Sequence, residues 1–366
     1  MLKASIQQLS TLWKPYRNYR FPFLSQRTQK FSFCNVSLSY EHLNNRSLIR
    51  VSGEDASDFL QGLITNDIRH LQGDNAVSDA TSKAMYCMFL DARGRVILDS
   101  IIYKAHVSKK QPNEVVYFLE CDSALESTIL KHLKMYKLRK KVDIAKISDE
   151  MDVWVEFNPD LKGLNTSSEG SLTVDSPNRI VAKDPRLPCL GLRHLCQKSE
   201  IPVSGETAKQ ILESGHYTAL RYSVGIGEGI VDHPPGSCFP LEANGDYLHG
   251  VSFHKGCYVG QELTARTHHT GVVRKRLMPL IFPSTAKFEK LPEPDTPVID
   301  GTTGKNVGKI RGMINCGGVV MGLGLLRVAE VLKSTNLKVA DSEVRTLRPF
   351  WWPEEAPKDI KSSSKS

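Results

Sequence analysis

Hydrophobic residues first fall into a regular rhythm at SLIRVSGEDASDFLQGLITND. Ser47 to Val51 predicts a strand and Gly-Glu-Asp a turn; Phe59, Leu60, Leu63 and Ile64 then recur at helical spacing. Asp55 or Ser57 is placed to cap that helix. MYCMFLDARGRVILDSIIYK and EVVYFLECD predict strands, the first run turning at Asp91 to Gly94, and ALESTILKHLKMYKL predicts a charged amphipathic helix. The same grammar then repeats loosely. MDVWVEF predicts a strand, LKGLNTSSEGS a polar loop, RIVAKDPRLPCLGLRHLC a strand, turn and strand, and ETAKQILESGHYTALRYSVGI a second helix that Gly225 ends. Beyond Gly271, RLMPLIF, TPVID, KNVGKIRGMI and VVMGLGLLRV are short β-like runs broken by Pro, Gly and Asn, which argues for a small barrel or sandwich.

This order implies an α+β protein with two lobes of similar size and a β-rich end. The expected division is a leader over 1–35, a first lobe over 36–150, a second over 151–270, a barrel over 271–353 and a low-complexity tail over 354–366. A chain of 366 residues, 40% hydrophobic, is long enough for such a core. The leader carries Lys3, Lys14, Arg17, Arg20, Arg27 and Lys30 with no acidic residue before Glu41, which reads as a mitochondrial transit peptide. It lacks the continuous apolar core of a secretory signal, and no run elsewhere is apolar enough to cross a bilayer.

Much of the formal net charge of +8 therefore belongs to the leader. The remaining basic clusters, KMYKLRKK (Lys134 to Lys141) and VVRKR (Val272 to Arg276), suit phosphate or another polyanion, or a solvated helix face. No nucleic-acid-binding motif accompanies them, so neither a nucleic-acid partner nor membrane insertion is expected. GTTGKN around Lys305 lacks the first glycine and the Ser or Thr of a phosphate loop. GIGEG (Gly225 to Gly229) follows a helix where a dinucleotide fingerprint would follow a strand. The eight cysteines form no CxxC pair and are expected to be thiols.

FHKGCYVGQELTARTHH, Phe253 to His269, concentrates the remaining chemistry. His254, Cys257, His268 and His269 are candidate zinc ligands, but their spacing differs from the paired ligands of structural zinc sites. A Cys-His hydrolase would pair Cys257 with His249, His254 or His268, yet no orienting third residue stands at a recognisable spacing. A small buried thiol is the plainest reading. A reactive one is favoured by Gly256 and Gly260, by Lys255, and by a helix start at QELTA whose positive end would lower a nearby thiol's pKa.

KGCYVGQE, made of Lys255, Gly256, Cys257, Tyr258, Val259, Gly260, Gln261 and Glu262, resembles the signature of the YgfZ family of folate-binding-like proteins. These are relatives of the aminomethyltransferase (T-protein) of the glycine cleavage system. FLQGLITND, LDARGRVILDSIIYK, LRYSVGIGEGIVDHPPGSCFPLE and RPFWWP resemble other segments of the family, in order, from about Ser47 to Pro353, the last as in its mitochondrial branch. The resemblance implies two interwoven α+β lobes and a C-terminal β-barrel forming a three-part ring around a channel, where the T-protein holds tetrahydrofolate. It implies Asp99 as the carboxylate left from the T-protein's adjacent pair, the other having become Leu98. Asp232, with Glu242 also available, matches the pterin-binding acid, and Arg221 is a further anion contact.

The same resemblance implies a mitochondrial matrix factor acting late in iron-sulfur cluster assembly, with A-type scaffold proteins and target [4Fe-4S] enzymes as partners. Cys257 would ligate a cluster bridged to partner cysteines. The alternative is a tetrahydrofolate-dependent one-carbon transferase using Asp99 and Asp232. A third reading is an interaction protein working through the surface at Arg274 to Arg276.

Overall fold

The computed structural model describes residues 38–72, 84–105, 115–159, 179–202, 210–286 and 288–354. The leader, the polar loop at 161–171, residues 206–209 of the expected second helix and the tail from 355 lie outside them. Three sheets organise the rest. The first contains β2 (Arg46–Ser52), β3 (Ala84–Leu90), β4 (Val96–Ala105), β5 (Val116–Asp122) and β6 (Asp143–Lys146), in the order β3-β4-β5-β2-β6. Two helices accompany it, α1 (Ala56–Gln61) and α2 (Glu126–Lys137), the latter turning Ile129, His132 and Leu133 inward as its amphipathic spacing predicts.

The second sheet draws on both ends of the two-lobe region. β1 (Ser39–His42) lies between β7 (Met151–Phe157) and the short β10 (Gln210–Ile211), and β9 (Leu192–Gln197) and β8 (Ile180–Lys183) complete it. β1 pairs antiparallel with β7, Ser39 opposite Phe157 and His42 opposite Trp154, and the chain enters the first sheet only at β2. Val155 and Phe157 bury on β7 while Glu41 of β1 reaches the helix beyond. The lobes are interwoven by that crossing strand.

That helix, α3 (His216–Ser223), is shorter than the apolar spacing predicts, because Gln210–Ile211 extends beside β1. Glu41 explains where α3 starts: its carboxylate accepts the free N–H groups of Gly215 and Tyr217 at 2.8 and 2.7 Å. Gly225 ends it as expected. With φ near +78°, it donates to Tyr222 O while Ile226 donates to Arg221 O, closing the last turn. Asp55 precedes α1 but does not cap it; its carboxylate accepts from Lys141 N instead.

The C-terminal sheet runs β11-β14-β13-β12-β15-β16, from β11 (Lys275–Ile281), β12 (Pro297–Asp300), β13 (Asn306–Cys316), β14 (Val319–Arg327), β15 (Leu337–Val339) and β16 (Ser342–Val344). It curls until Ile281 and Arg345 exchange backbone hydrogen bonds of 2.8 and 2.9 Å, which joins its two edges. Arg276, expected at a surface, is buried there, bonded to Asp246 at 2.8 Å and stacked 3.8 Å from the Tyr247 ring. One apolar cluster joins all three sheets, with Leu48 and Tyr86 from the first, Val155 and Leu195 from the second, and Leu277 and Leu323 from the third.

Between the first two sheets and α3 lies a knot of buried charge. Glu120 on β5 accepts from Arg46 on β2 at 2.7 Å and from Arg193 on β9 at 2.5 Å. Glu228 takes Arg193 and Arg186, and Asp184 takes Arg186 at 2.7 Å. Burial alone would raise the Glu228 carboxyl, but Arg193, Arg186, Arg46 and Arg221 outweigh it and hold the group well below the usual carboxylate range. Its unfolded value is near 4.3, so its stabilisation is complete above that pH and declines as pH falls below it. Glu228→Gln should cost about 3–5 kcal/mol in urea unfolding at neutral pH, through guanidinium groups left unpaired. It should also make the acid side of the stability curve shallower than in the parent protein.

Candidate functional site

The KGCYVGQE loop is tied to the chain just after α1. The last carbonyls of a helix have no intrahelical donors, and here the loop supplies them. Lys255 Nζ donates to Gln61 O and Ile64 O at 2.6 Å and to Asn66 O at 2.8 Å. Ser252 N bonds Thr65 O at 2.9 Å and Val259 N bonds Gly62 O at 3.1 Å. In the other direction, Thr65 Oγ1 donates to Gly250 O and Asn66 Nδ2 to His249 O, at 2.6 and 2.7 Å. FLQGLITND and KGCYVGQE, far apart in sequence, thus form one hydrogen-bonded unit. Burial pushes the Lys255 ammonium down to about 8; three carbonyls around it match the three N–H donors that only the charged form carries. The Tyr258 ring lies 4.8 Å from Nζ, and burial raises its hydroxyl to about 12.

Gly260 meets the β3–β4 turn directly. Its φ is +78°, and a β-carbon there would fall 2.3 Å from Asp91 O, while one on Gly94 would fall 2.8 Å from Gly260 O. Gln261 then opens α5 (Gln261–Thr270), the helix expected at QELTA, and its Oε1 accepts from Tyr258 N at 3.2 Å. Glu262 is exposed in the first turn of α5. Gly256 differs from Gly260: its φ is not positive and nothing lies within 4 Å of the place a β-carbon would take. The backbone beside Cys257 is open.

Cys257 is the exposed thiol among the described cysteines, all of which are free. Burial pushes Cys121, Cys189, Cys196 and Cys238 up to about 12 and also raises Cys87 and Cys316. The zinc reading fails, since no three His, Cys, Asp or Glu side chains among the described residues are gathered for a metal. His268 is on α5, stacked on Phe253 with ring centroids 3.5 Å apart. Cys257 makes no hydrogen bond to a histidine among the described residues, which removes the support for a Cys-His hydrolase.

The folate-type residues are occupied within the protein. Asp99, expected to face a channel, is 2% exposed and accepts from Gly229 N at 2.9 Å, at the start of the short helix α4 (Gly229–Asp232). Asp232 accepts from Tyr222 Oη at 2.7 Å, Glu228 N at 2.8 Å and Arg221 Nη1 at 3.1 Å. Arg221 is buried at the end of α3, bonded to Ile226 O as well. Asp232, with both carboxylate oxygens used, does not fit a pterin, which needs oxygens free to accept from its aminopyrimidine edge, and Asp99 is bonded through Oδ1 alone. Glu242 is the exception. Half-buried, with its carboxyl raised by burial near Lys275, Arg311 and Arg95, it spends no carboxylate oxygen on a neighbour among the described residues.

Sequence reasoning missed the charge knot itself. Arg193 within LRHLC and Glu120 within VYFLECD, charges inside otherwise buried strands, were the available signals.

This is the fold of an aminomethyltransferase, here presenting an exposed thiol on a loop pinned to the first lobe. The aminomethyltransferase T of the Bartonella henselae glycine cleavage system superposes with a TM-score of 0.62 over 87% of each chain at 12% identity. Residues 274–354 match the family model for the CAF17 C-terminal beta-barrel domain. The mitochondrial iron-sulfur cluster assembly factor IBA57 of Mus musculus is 36% identical, covering 86% of this chain and 85% of its own. The human protein of that name is 35% identical over 85% and 84%, and the Mycosarcoma maydis homolog 31% over 86% and 84%. The chain belongs to the IBA57 family of iron-sulfur cluster assembly factors, whose members named here are mitochondrial.

Two measurements check the site. Iodoacetamide added to the native protein should alkylate Cys257 and leave the other described cysteines protected until denaturant is added, as peptide mass mapping would read. Lys255→Met should remove about 2 kcal/mol of local stability, seen as roughly thirtyfold faster hydrogen exchange at the Ser252 and Val259 amides. Unchanged exchange would show that the ammonium does not hold the loop.

Proposed function

We propose that this protein acts in the mitochondrial matrix, late in iron-sulfur cluster biogenesis, in the maturation of [4Fe-4S] proteins together with A-type scaffold proteins. Cys257 contributes one thiolate to a cluster shared between the two chains. The observation that carries this reading is an exposed thiol on a pinned loop beside the open backbone of Gly256. An iron-sulfur cluster normally takes four protein ligands, and no three His, Cys, Asp or Glu side chains are gathered to hold a metal among the described residues. The missing ligands come from the partner, whose approach Gly256 leaves unobstructed. The names of the relatives, all iron-sulfur cluster assembly factors, support the same process.

The cluster is cargo in this scheme. The protein's part is positional: Lys255 and the carbonyls after α1 fix the loop, so the thiolate meets the partner from a defined backbone. The one-carbon transferase reading has less behind it, because both oxygens of Asp232 are spent on Tyr222, Glu228 and Arg221 and Asp99 is buried against Gly229 N. Turnover of methylene-tetrahydrofolate by the purified protein would revive it.

Mixing the purified chain with an A-type scaffold and an iron-sulfur source should give a protein-bound cluster with visible charge-transfer absorption in the heterodimer. Cys257→Ala should abolish that heterodimer spectrum; an unaltered one removes Cys257 from the role. In cells depleted of the protein, [4Fe-4S] enzyme activities should fall while [2Fe-2S] enzymes are spared, whereas equal loss of both would place the protein at an earlier step.

A further inference from the structure

The basic run at the end of α2 takes no part in the thiol site. Between Glu126 and Asp143 the chain carries Lys131, Lys134, Lys137, Arg139, Lys140 and Lys141 and no acidic residue. Lys141 is paired with Glu54 at 2.8 Å. Lys131, Lys134, Lys137, Arg139 and Lys140 have no ion-pair partner among the described residues. Lys134 and Lys137 in the last turn suit the helix dipole, but that accounts for neither the density of charge beyond it nor its apolar companions.

Those companions are Met135 in the last turn, 61% exposed, and Leu138 at the C-cap, 84% exposed. Leu138 is held at φ 46°, ψ −116°, a backbone conformation that residues with a β-carbon avoid. The fold thus places a leucine almost wholly in water, in an unfavourable conformation, at the tip of a cluster of unpaired cations. The opposite side of α2 is anchored in the core by Ile129 and Leu133, so the tip rests on a fixed base.

We propose that this tip is a docking site for an anionic phospholipid surface. The cations meet the phosphate layer while Leu138 and Met135 reach the boundary between headgroups and acyl chains. A membrane is favoured over an acidic protein because two large apolar side chains are exposed at the end of a helix among unpaired cations, which suits insertion of the apolar groups into a fluid layer below charged headgroups. The contact is peripheral: no helix among the described residues is long and apolar enough to cross a membrane.

Flotation of the full chain with vesicles tests this. Binding is expected to phosphatidylcholine vesicles doped with phosphatidylserine and not to phosphatidylcholine alone, and to weaken with salt. The basic leader is present in every variant, so the tip is read from differences. Replacing Lys134, Lys137, Arg139 and Lys140 together by Gln should weaken binding about fivefold per cation removed. Leu138→Ser, which leaves charge unchanged, should weaken it roughly threefold to tenfold. Circular dichroism melts confirm that these exposed substitutions leave the fold intact. Equal binding by parent and variants assigns any attachment to the leader and overturns the proposal. So does a Leu138→Ser protein that binds vesicles as the parent does while soluble polyglutamate displaces both, which would assign the patch to an acidic protein.

Discussion

Everything in the two lobes is arranged around charges that have left water. Arg46, Arg186, Arg193 and Arg221 are buried together with Glu120, Asp184, Glu228 and Asp232, on β2, β5, β9, α3, α4 and the loops between them. No one of these elements could bury its own charge, because an unpaired ion in a low-dielectric interior costs far more than a fold of this size can offset. The pairing therefore requires both sheets and α3 to be in place at once. Such a knot specifies an arrangement more than it adds stability, since apolar residues could fill the same space at no loss. Its geometry accounts for the otherwise odd crossing of β1 into the second sheet: Glu41 on that strand fixes the start of α3, and α3 brings Arg221 and Tyr217 to the knot.

The same network takes up two of the folate-type residues. Asp232 and Arg221 bond each other, and Asp99 holds the backbone of α4 at Gly229. On this fold, Asp99, Arg221 and Asp232 act as internal supports. Glu242, half-buried and unspent, is the remaining acid of the set, but alone it does not make a pocket.

Where local periodicity decides structure, the sequence was legible. β4, β5, α2, β7 and the strands after Gly271 fall where alternation or helical spacing places them, because each has one face to bury. Gly225 was readable for a similar reason: only a left-handed residue closes that helix end cheaply. The second helix was over-extended because QILESGHY keeps apolar spacing that pairing with β1 overrides. Cys257 was found by its setting of glycine, lysine and tyrosine. That Lys255 binds carbonyls of the first lobe, that Arg276 is internal and that Asp99 is occupied depend on contacts between distant segments, which no single-chain periodicity records.

One contact in the site is made by main chain. Gly94, in the β3–β4 turn, and Gly260, at the head of α5, face each other backbone to backbone. The spacing of the turn against the thiol loop is set by this main-chain contact, with Leu90 and Leu263 packed beside it, and main-chain thickness is the least adjustable length in a protein. The hairpin is in effect a fixed stop for the loop. A methyl group added at Gly94 would fall 2.8 Å from Gly260 O and crowd the Leu263 side chain on α5, so an inherited change in the first lobe would be expressed as a misplaced thiol loop in the second.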